Sequence, residues 1–145
     1  MTTLALTGAT GFVGKATVEH ALARGIHVRA LTRRDQRERD GVSWIAGDLE
    51  HEDALARLAS GAGAVIHIAG VVNAPTTDGF IRGNVDGTRR MAAAAASMGV
   101  RRFVHVSSMS AREPQLSQYG RSKELAEQAV HHSGLDWTMI RPPGV

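Results

Sequence analysis

Short apolar runs alternate with stretches of helical period along the whole chain. "LALTG" (4–8) is an apolar run ending in glycine. "GKATVEHALARG" (14–25) places Val18, Ala21 and Leu22 on one stripe and ends on Gly25, a helix stop. "HVRALTR" (27–33) alternates as a strand does, and "VSWIAGD" (42–48) is a third strand. "HEDALARLAS" (51–60) reads as a helix closed by "GAG", and "AVIHIAG" (64–70) as a fourth strand, apolar enough to be buried on both faces. After the loop "VVNAPTTDGF" (71–80) come a helix over 84–99, a strand over 101–108, a helix over 117–134 and a sixth strand over 136–142. The alanines at 92–96 read as a buried helix packed closely on a sheet, since alanine is the best helix former. Trp44 and Trp137 fall in expected strands and are expected in the core.

Six strands alternating with helices predict an α/β fold: a doubly wound parallel sheet of the Rossmann type, six or more strands wide, with helices on both faces. A chain of 145 residues suits one domain with a real core, and no internal linker divides it. The absence of cysteine excludes disulfides and cysteine-ligated zinc. No apolar run reaches the roughly 20 residues of a bilayer span, and the N-terminus lacks a secretory pattern. A cytoplasmic location without membrane partners is therefore expected. The net charge of +3 is nearly balanced. The Arg-Arg pairs at 33–34, 89–90 and 101–102 are scattered without interleaved aromatics, so no nucleic-acid partner is expected.

Chemistry enters at "TGATGFVG" (7–14). Gly8, Gly11 and Gly14 stand three apart between a strand and a helix. That arrangement suits a tight turn, a close backbone approach to pyrophosphate and close helix–sheet packing. A helix N-terminus then turns unpaired N–H groups and a positive dipole end toward the phosphates. Thr10, Phe12 and Val13 complete the expected cofactor loop. The spacing is G-x-x-G-x-x-G rather than the commoner G-x-G-x-x-G. At the end of the second strand, "LTRRD" (31–35) offers Arg33 and Arg34, which suit a ribose 2′-phosphate and favour NADP over NAD; Asp35 leaves the 2′-hydroxyl of NAD as the alternative.

"YGRSK" (119–123) holds the chain's sole tyrosine and one of its two lysines. Residues four apart on a helix share a face. A phenol ionises near 10, and a neighbouring ammonium stabilises the phenolate, which makes the pair fit for proton transfer. Lysine suits this as a compact point charge, where arginine would bring a planar fork. No histidine pair has a metal-ligand spacing, and no metal is expected.

In these motifs, and in "GDL" (47–49), "VIHIAG" (65–70), "NVDGT" (84–88), "VHVSS" (104–108) and "RPPGV" (141–145), the sequence resembles the extended and atypical short-chain dehydrogenase/reductases, the family of the NAD-dependent epimerases and dehydratases. The motifs occur in the family's order over essentially the whole chain. The resemblance implies a triad of Ser108, Tyr119 and Lys123, with Ser107 and Ser110 as alternatives for the serine. Ser108 would hydrogen-bond the substrate oxygen, Tyr119 would give or take the proton, and Lys123 would also hold the nicotinamide ribose.

It further implies that Asp48 and Leu49 flank the adenine, that Ala69 and Gly70 line the cofactor, and that Asn84 braces the central strands. Family members continue into a smaller C-terminal substrate domain, so residues 1–145 are expected to be the NAD(P)-binding domain of a longer enzyme. The expected activity is hydride transfer at a carbonyl or hydroxyl carbon, or epimerisation or dehydration, of a small molecule such as a nucleotide-sugar. The alternative is a non-catalytic NADP(H)-binding module, a redox sensor or assembly subunit. The segment between Ser108 and Tyr119 is shorter than in many extended members and points to an atypical branch. A homodimer through 84–99 and 117–134 is also implied by the resemblance.

Overall fold

A computed structural model describes residues 2–70 and 74–143. The first residues of the 71–80 loop (71–73) and the end of "RPPGV" (144–145) lie outside the described residues. Strands β1 (Thr3–Thr7), β2 (His27–Thr32), β3 (Val42–Ala46), β4 (Ala64–His67), β5 (Arg102–Val106) and β6 (Asp136–Ile140) form one sheet in the order β3-β2-β1-β4-β5-β6. Every neighbouring pair is parallel. The chain winds outward from β1 to β3, returns beside β1 as β4, and winds outward again. The order therefore reverses between β1 and β4, and the ligand crevice of such sheets lies outside the strands' carboxyl ends at that reversal.

Helices α1 (Phe12–Ala23), α2 (Glu52–Ala59), α4 (Gly87–Ser97) and α5 (Gln118–His131) connect the strands. A four-residue helix, α3 (Thr77–Phe80), runs into a π-helical turn, Ile81–Asp86, before α4. Two cores follow from strand alternation. Leu4, Leu6, Val28 and Ala30 face α1, where Val18 and Ala21 meet them. Ala5, Leu31, Val65 and Phe103 face the opposite side and pack against Leu55 and Leu58 of α2, Met91 and Ala95 of α4, and Val130 of α5. Helices thus lie on both faces, as expected.

Several expectations are corrected. In β4, Val65 and His67 are buried but Ala64 and Ile66 are only half-buried, so one face of this strand is not sealed. Trp44 is half-buried and packs against the α1-side core as expected in part, whereas Trp137 is 41% exposed; β3 and β6 are the two edge strands. Trp137 packs against His131 of α5, ring centroids 4.5 Å apart and planes tilted by 42°, rather than entering the core. In the alanine run, Ala92 and Ala95 are buried, while Ala93 and Ala96 line a groove of about 650 Å³ shared with Leu125, Gln128 and Ala129 of α5. Residues 77–80, the end of the expected 71–80 loop, form α3, and residues 81–83, to which no element was assigned, begin the π-helical turn. Residues 109–116 form two 3₁₀ turns, Met109–Arg112 and Pro114–Leu116.

Candidate functional site

The phosphate-loop motif spans the β1–α1 turn. Gly8 has φ +76°, a left-handed value that glycine tolerates, and a Cβ there would lie 2.8 Å from the Ala69 nitrogen. At Gly14 a Cβ would overlap the carbonyl oxygen of Gly8, so only glycine lets α1 start this close to the turn. Gly11 differs: its nearest neighbour to an added Cβ is 3.7 Å away, and it faces open space. Gly11 is also the N-cap of α1, with no side-chain cap and no acidic residue in the first turn. The helix therefore presents uncapped N–H groups, the donor set an anionic diphosphate requires. Thr10, Gly11 and Phe12 are exposed and Val13 is half-buried, while Gly14 is buried. A dinucleotide's pyrophosphate fits this cradle.

At the end of β2, Arg33 and Arg34 are exposed, and neither guanidinium has an ion pair among the described residues. Thr32 fixes the backbone there by donating to the Arg34 carbonyl at 2.8 Å. Past β3, the Asp48 carboxylate accepts from Glu50 N–H at 2.8 Å, and Leu49 packs toward the start of α4 at Gly87. Ala69 and Gly70 follow β4. Ile68 and Ala69 donate their N–H groups to the hydroxyl of Thr7, at 3.0 and 3.1 Å, which ties the carboxyl ends of β1 and β4 together.

That hydroxyl begins a buried chain absent from the sequence reading. Having accepted twice, Thr7 donates to His67 Nδ1 at 2.8 Å. His67 Nε2–H then donates to Thr88 Oγ1 at 3.1 Å, and Thr88 donates to the Asn84 carbonyl at 2.7 Å. Donors and acceptors balance with His67 neutral and its proton on Nε2. Burial first, then the charges of His105 and Lys123, hold its pKa well below the ordinary 6.5. Asn84 was expected to brace the central strands. It lies in the π-helical turn, and its amide donates to Ser122 Oγ of α5 at 2.9 Å.

Helix α5 carries Tyr119 and Lys123. It starts because Ser117 caps it, accepting from Gly120 N–H at 2.9 Å. Its first turn sits against the 109–112 turn so closely that a Cβ on Gly120 would lie 2.5 Å from the Ser110 carbonyl oxygen. Tyr119 is half-buried with its ring edge-on to Phe80 at 6.3 Å, and its hydroxyl has no hydrogen-bond partner among the described residues. Lys123 is 4% exposed and donates to the Val106 carbonyl at 3.3 Å. Burial lowers its pKa to about 8, against the opposing pull of the Glu127 carboxylate. A Cβ on Gly70 would lie 3.7 Å from Lys123 Nζ, so the segment that follows β4 passes close to the ammonium.

The serines at the end of β5 divide. Ser107 donates to Glu127 at 2.6 Å, while Ser108 Oγ accepts from Ser110 N–H at 3.1 Å, which leaves its own proton free to donate. Both are buried. His105 stacks on His67 at 5.6 Å, and both its ring nitrogens lack hydrogen-bond partners among the described residues. Burial, then the Lys123 charge, lower its pKa to about 3, with Glu127 opposing. Thr7, His67, Thr88, Glu127 and Arg141, which donates to Glu127 at 2.6 Å, thus join a site that sequence motifs drew more narrowly, and Ser107, an alternative for the triad serine, is bound to Glu127. Among the described residues no cluster of three His, Asp or Glu side chains is placed to hold a metal ion, and no helix is long and apolar enough to cross a membrane.

This fold and crevice define a dinucleotide-binding protein of the Rossmann class. A family model described as NAD(P)H-binding matches residues 8–145. The chain is 44% identical to a ceramide reductase of Caulobacter vibrioides over 98% of this chain and 46% of that protein. It is 30% identical to an uncharacterized sugar epimerase of Bacillus subtilis over 97% of this chain and 71% of that protein. A solved short-chain dehydrogenase/reductase superfamily protein from Agrobacterium tumefaciens, with bound NAD, superposes with a TM-score of 0.84 at 30% identity, over 96% of this chain and 48% of that one. The chain belongs to this NAD(P)H-binding family of extended or atypical short-chain dehydrogenase/reductases, whose members here are named as reductases and epimerases. It spans about half the length of the ceramide reductase and of the Agrobacterium protein.

Proposed function

We propose that residues 1–145 form the NADP(H)-preferring cofactor domain of an oxidoreductase that works at a carbonyl or hydroxyl carbon, with Ser108, Tyr119 and Lys123 as its catalytic residues. The observation that carries this reading is the convergence of a buried Lys123 and the half-buried Tyr119 on one face of α5, with Lys123 close to Gly70 in the segment that follows β4. Bound nicotinamide supplies hydride exchange; the chain's own residues supply the rest. Ser108 has a free proton to hydrogen-bond the substrate oxygen, which leaves Ser107 and Ser110 in supporting positions. Tyr119, whose hydroxyl has no partner among the described residues, gives or takes the proton at that oxygen. Lys123 sets the positive field in which the phenol ionises and lies where it can hold a ribose.

Gly8, Thr10, Gly11, Phe12, Val13 and Gly14 cradle the diphosphate, Asp48 and Leu49 flank the adenine, and Ala69 and Gly70 line the cofactor. The guanidinium groups of Arg33 and Arg34, without an ion pair among the described residues, support a 2′-phosphate and hence NADP over NAD. The 44% identity to a protein named as a ceramide reductase supports carbonyl reduction over epimerisation. Self-association on α4 and α5 belongs to the same reading, and sedimentation at 15.4 kDa at every concentration would remove it.

The test is Tyr119→Phe, assayed with NADPH against a panel of carbonyl compounds and nucleotide-sugars. Turnover is expected to fall by roughly 10²-fold or more while NADPH affinity stays within about twofold. Unchanged turnover overturns the mechanism. NADPH binding with no turnover of any panel member by the wild-type protein favours a binding module instead.

A further inference from the structure

Glu127 lies four residues beyond Lys123 and eight beyond Tyr119, on the same face of α5. Its side chain is 5% exposed, an expensive place for a carboxylate unless charge and hydrogen bonds offset the burial. Three donors do so. Ser107, at the end of β5, donates to Oε2 at 2.6 Å; Arg141, just past β6, donates through Nε to Oε2 at 2.9 Å and through Nη2 to Oε1 at 2.6 Å. This is a bidentate pair that reaches from the helix to the ends of two strands.

We propose that Glu127 is a positioning residue for the Tyr119–Lys123 pair: its anchored carboxylate is the fixed counter-ion of the buried Lys123 ammonium and holds α5 in register with the ends of β5 and β6. The inference rests on reading Tyr119 and Lys123 as the catalytic pair. Among the described residues Lys123 makes one hydrogen bond, to a neutral carbonyl, so its charge needs support from elsewhere. The titratable groups that act on it are His67 from β4, His105 from β5 and Glu127 on its own helix, where Tyr119 precedes it by one turn; Arg141, beyond β6, is paired with Glu127. Both histidines are neutral and Arg141 is a cation, which leaves Glu127 as the sole anion of the set. Burial alone pushes the Glu127 carboxyl up. The hydrogen bonds from Arg141 and Ser107, and the Arg141 charge, outweigh burial and hold it below its ordinary value, so the counter-ion stays charged.

The chain's two lysines make the test direct. Carbon-13 labelling at lysine Cε gives two NMR signals; Lys15, exposed on α1, is identified with Lys15→Arg, and the other signal reports Lys123. Glu127→Gln keeps the shape and one acceptor oxygen but removes the charge and turns the other acceptor into a donor. Its Lys123 midpoint is expected to fall by about one unit or more. Glu127→Asp keeps the charge at the cost of one methylene and is expected to stay within about half a unit of wild type. The reverse order, Gln near wild type and Asp displaced, means that Glu127 only fills space and overturns the proposal.

If Glu127→Gln does not fold, Arg141→Met carries the test. With the carboxylate no longer shared, the Lys123 midpoint rises; no change or a fall overturns the proposal. No substrate or turnover enters these titrations. A failed Tyr119→Phe result would leave them standing, and failed titrations would leave the Tyr119 result standing.

Discussion

At the β1–α1 end of the crevice, the recurring bonds are backbone to backbone: Gly11 N–H to the Gly8 carbonyl at 3.3 Å and Lys15 N–H to the Gly11 carbonyl at 2.9 Å. At the α5 end, the contacts are side chains with charge: Lys123, Glu127 and Arg141 beside two neutral histidines. A phosphate site needs N–H groups and room, which glycines provide without any titratable group. A proton-transfer site needs a tuned field, which demands buried charges and partners that keep them from being expelled or neutralised. The two ends should therefore fail differently. The first is broken by adding atoms, the second by changing charge or pH.

Gly14→Ala carries the largest expected effect. Its methyl would overlap the Gly8 carbonyl oxygen, so the β1–α1 turn must open, at a cost of about 3 kcal/mol or more, or the chain fails to fold. Gly11→Ala sharpens the point. With 3.7 Å of room the fold should keep its melting temperature within a few degrees, while dinucleotide affinity, measured by calorimetry, drops by roughly tenfold or more.

Acid probes the other end. His67 and His105 stay neutral in the fold but protonate near 6.5 when the chain unfolds. The unfolded chain then binds more protons, and stability falls as pH drops below 6.5, continuing to about 3 for His105. Glu127, held below its ordinary 4.5, adds a further loss as pH falls through its folded-state value. Urea denaturation at pH 6.5 and pH 4.5 should show this loss. His105→Phe should reduce it by up to about 1.4 kcal/mol per pH unit, since one buried base and two unpaired ring nitrogens are removed. Lys123 acts at the opposite limit. Between about 8 and 10.5 the unfolded chain keeps a proton that the fold releases, so its contribution raises stability as pH climbs through that window.

Replacing Arg33 and Arg34 with alanine should weaken NADPH by roughly tenfold, about 1.4 kcal/mol, and leave NADH nearly unchanged. Equal losses for both cofactors would mean that these side chains do not read the 2′-phosphate. The smallest effect belongs to Trp137→Thr, on an exposed edge strand: within about 0.5–1 kcal/mol by thermal denaturation, where a core tryptophan would cost several times more.

Strand–helix alternation, the glycine loop and the i, i+4 spacing of Tyr119 and Lys123 are local signals, and the fold class and these motifs were legible in the sequence. Burial at the margins was not. Trp137 looks like a core residue until strand order places β6 at an edge. The polar chain through Thr7, His67 and Thr88 spans sequence separations of 60 and 21 residues, so no window along the chain contains it. Glu127 was visible on the Lys123 face of its helix, yet its anchors on other elements, Ser107 and Arg141, appear only once β5, α5 and β6 are assembled.

That assembly has an order in time. Synthesis runs from the N-terminus, so Tyr119, Lys123 and Glu127 are made before the residue that completes their anchor, and Arg141 follows Glu127 by 14 residues. Until β6 docks beside β5, the Glu127 carboxylate keeps only the Ser107 hydroxyl of its anchors, and burying it with so little support is costly. Until then the lysine end of the crevice lacks its Arg141 anchor, whereas the turn from Gly8 to Gly14 closes on backbone hydrogen bonds between near neighbours. Arg141 thereby couples the buried charges of α5 to the docking of β6 beside β5.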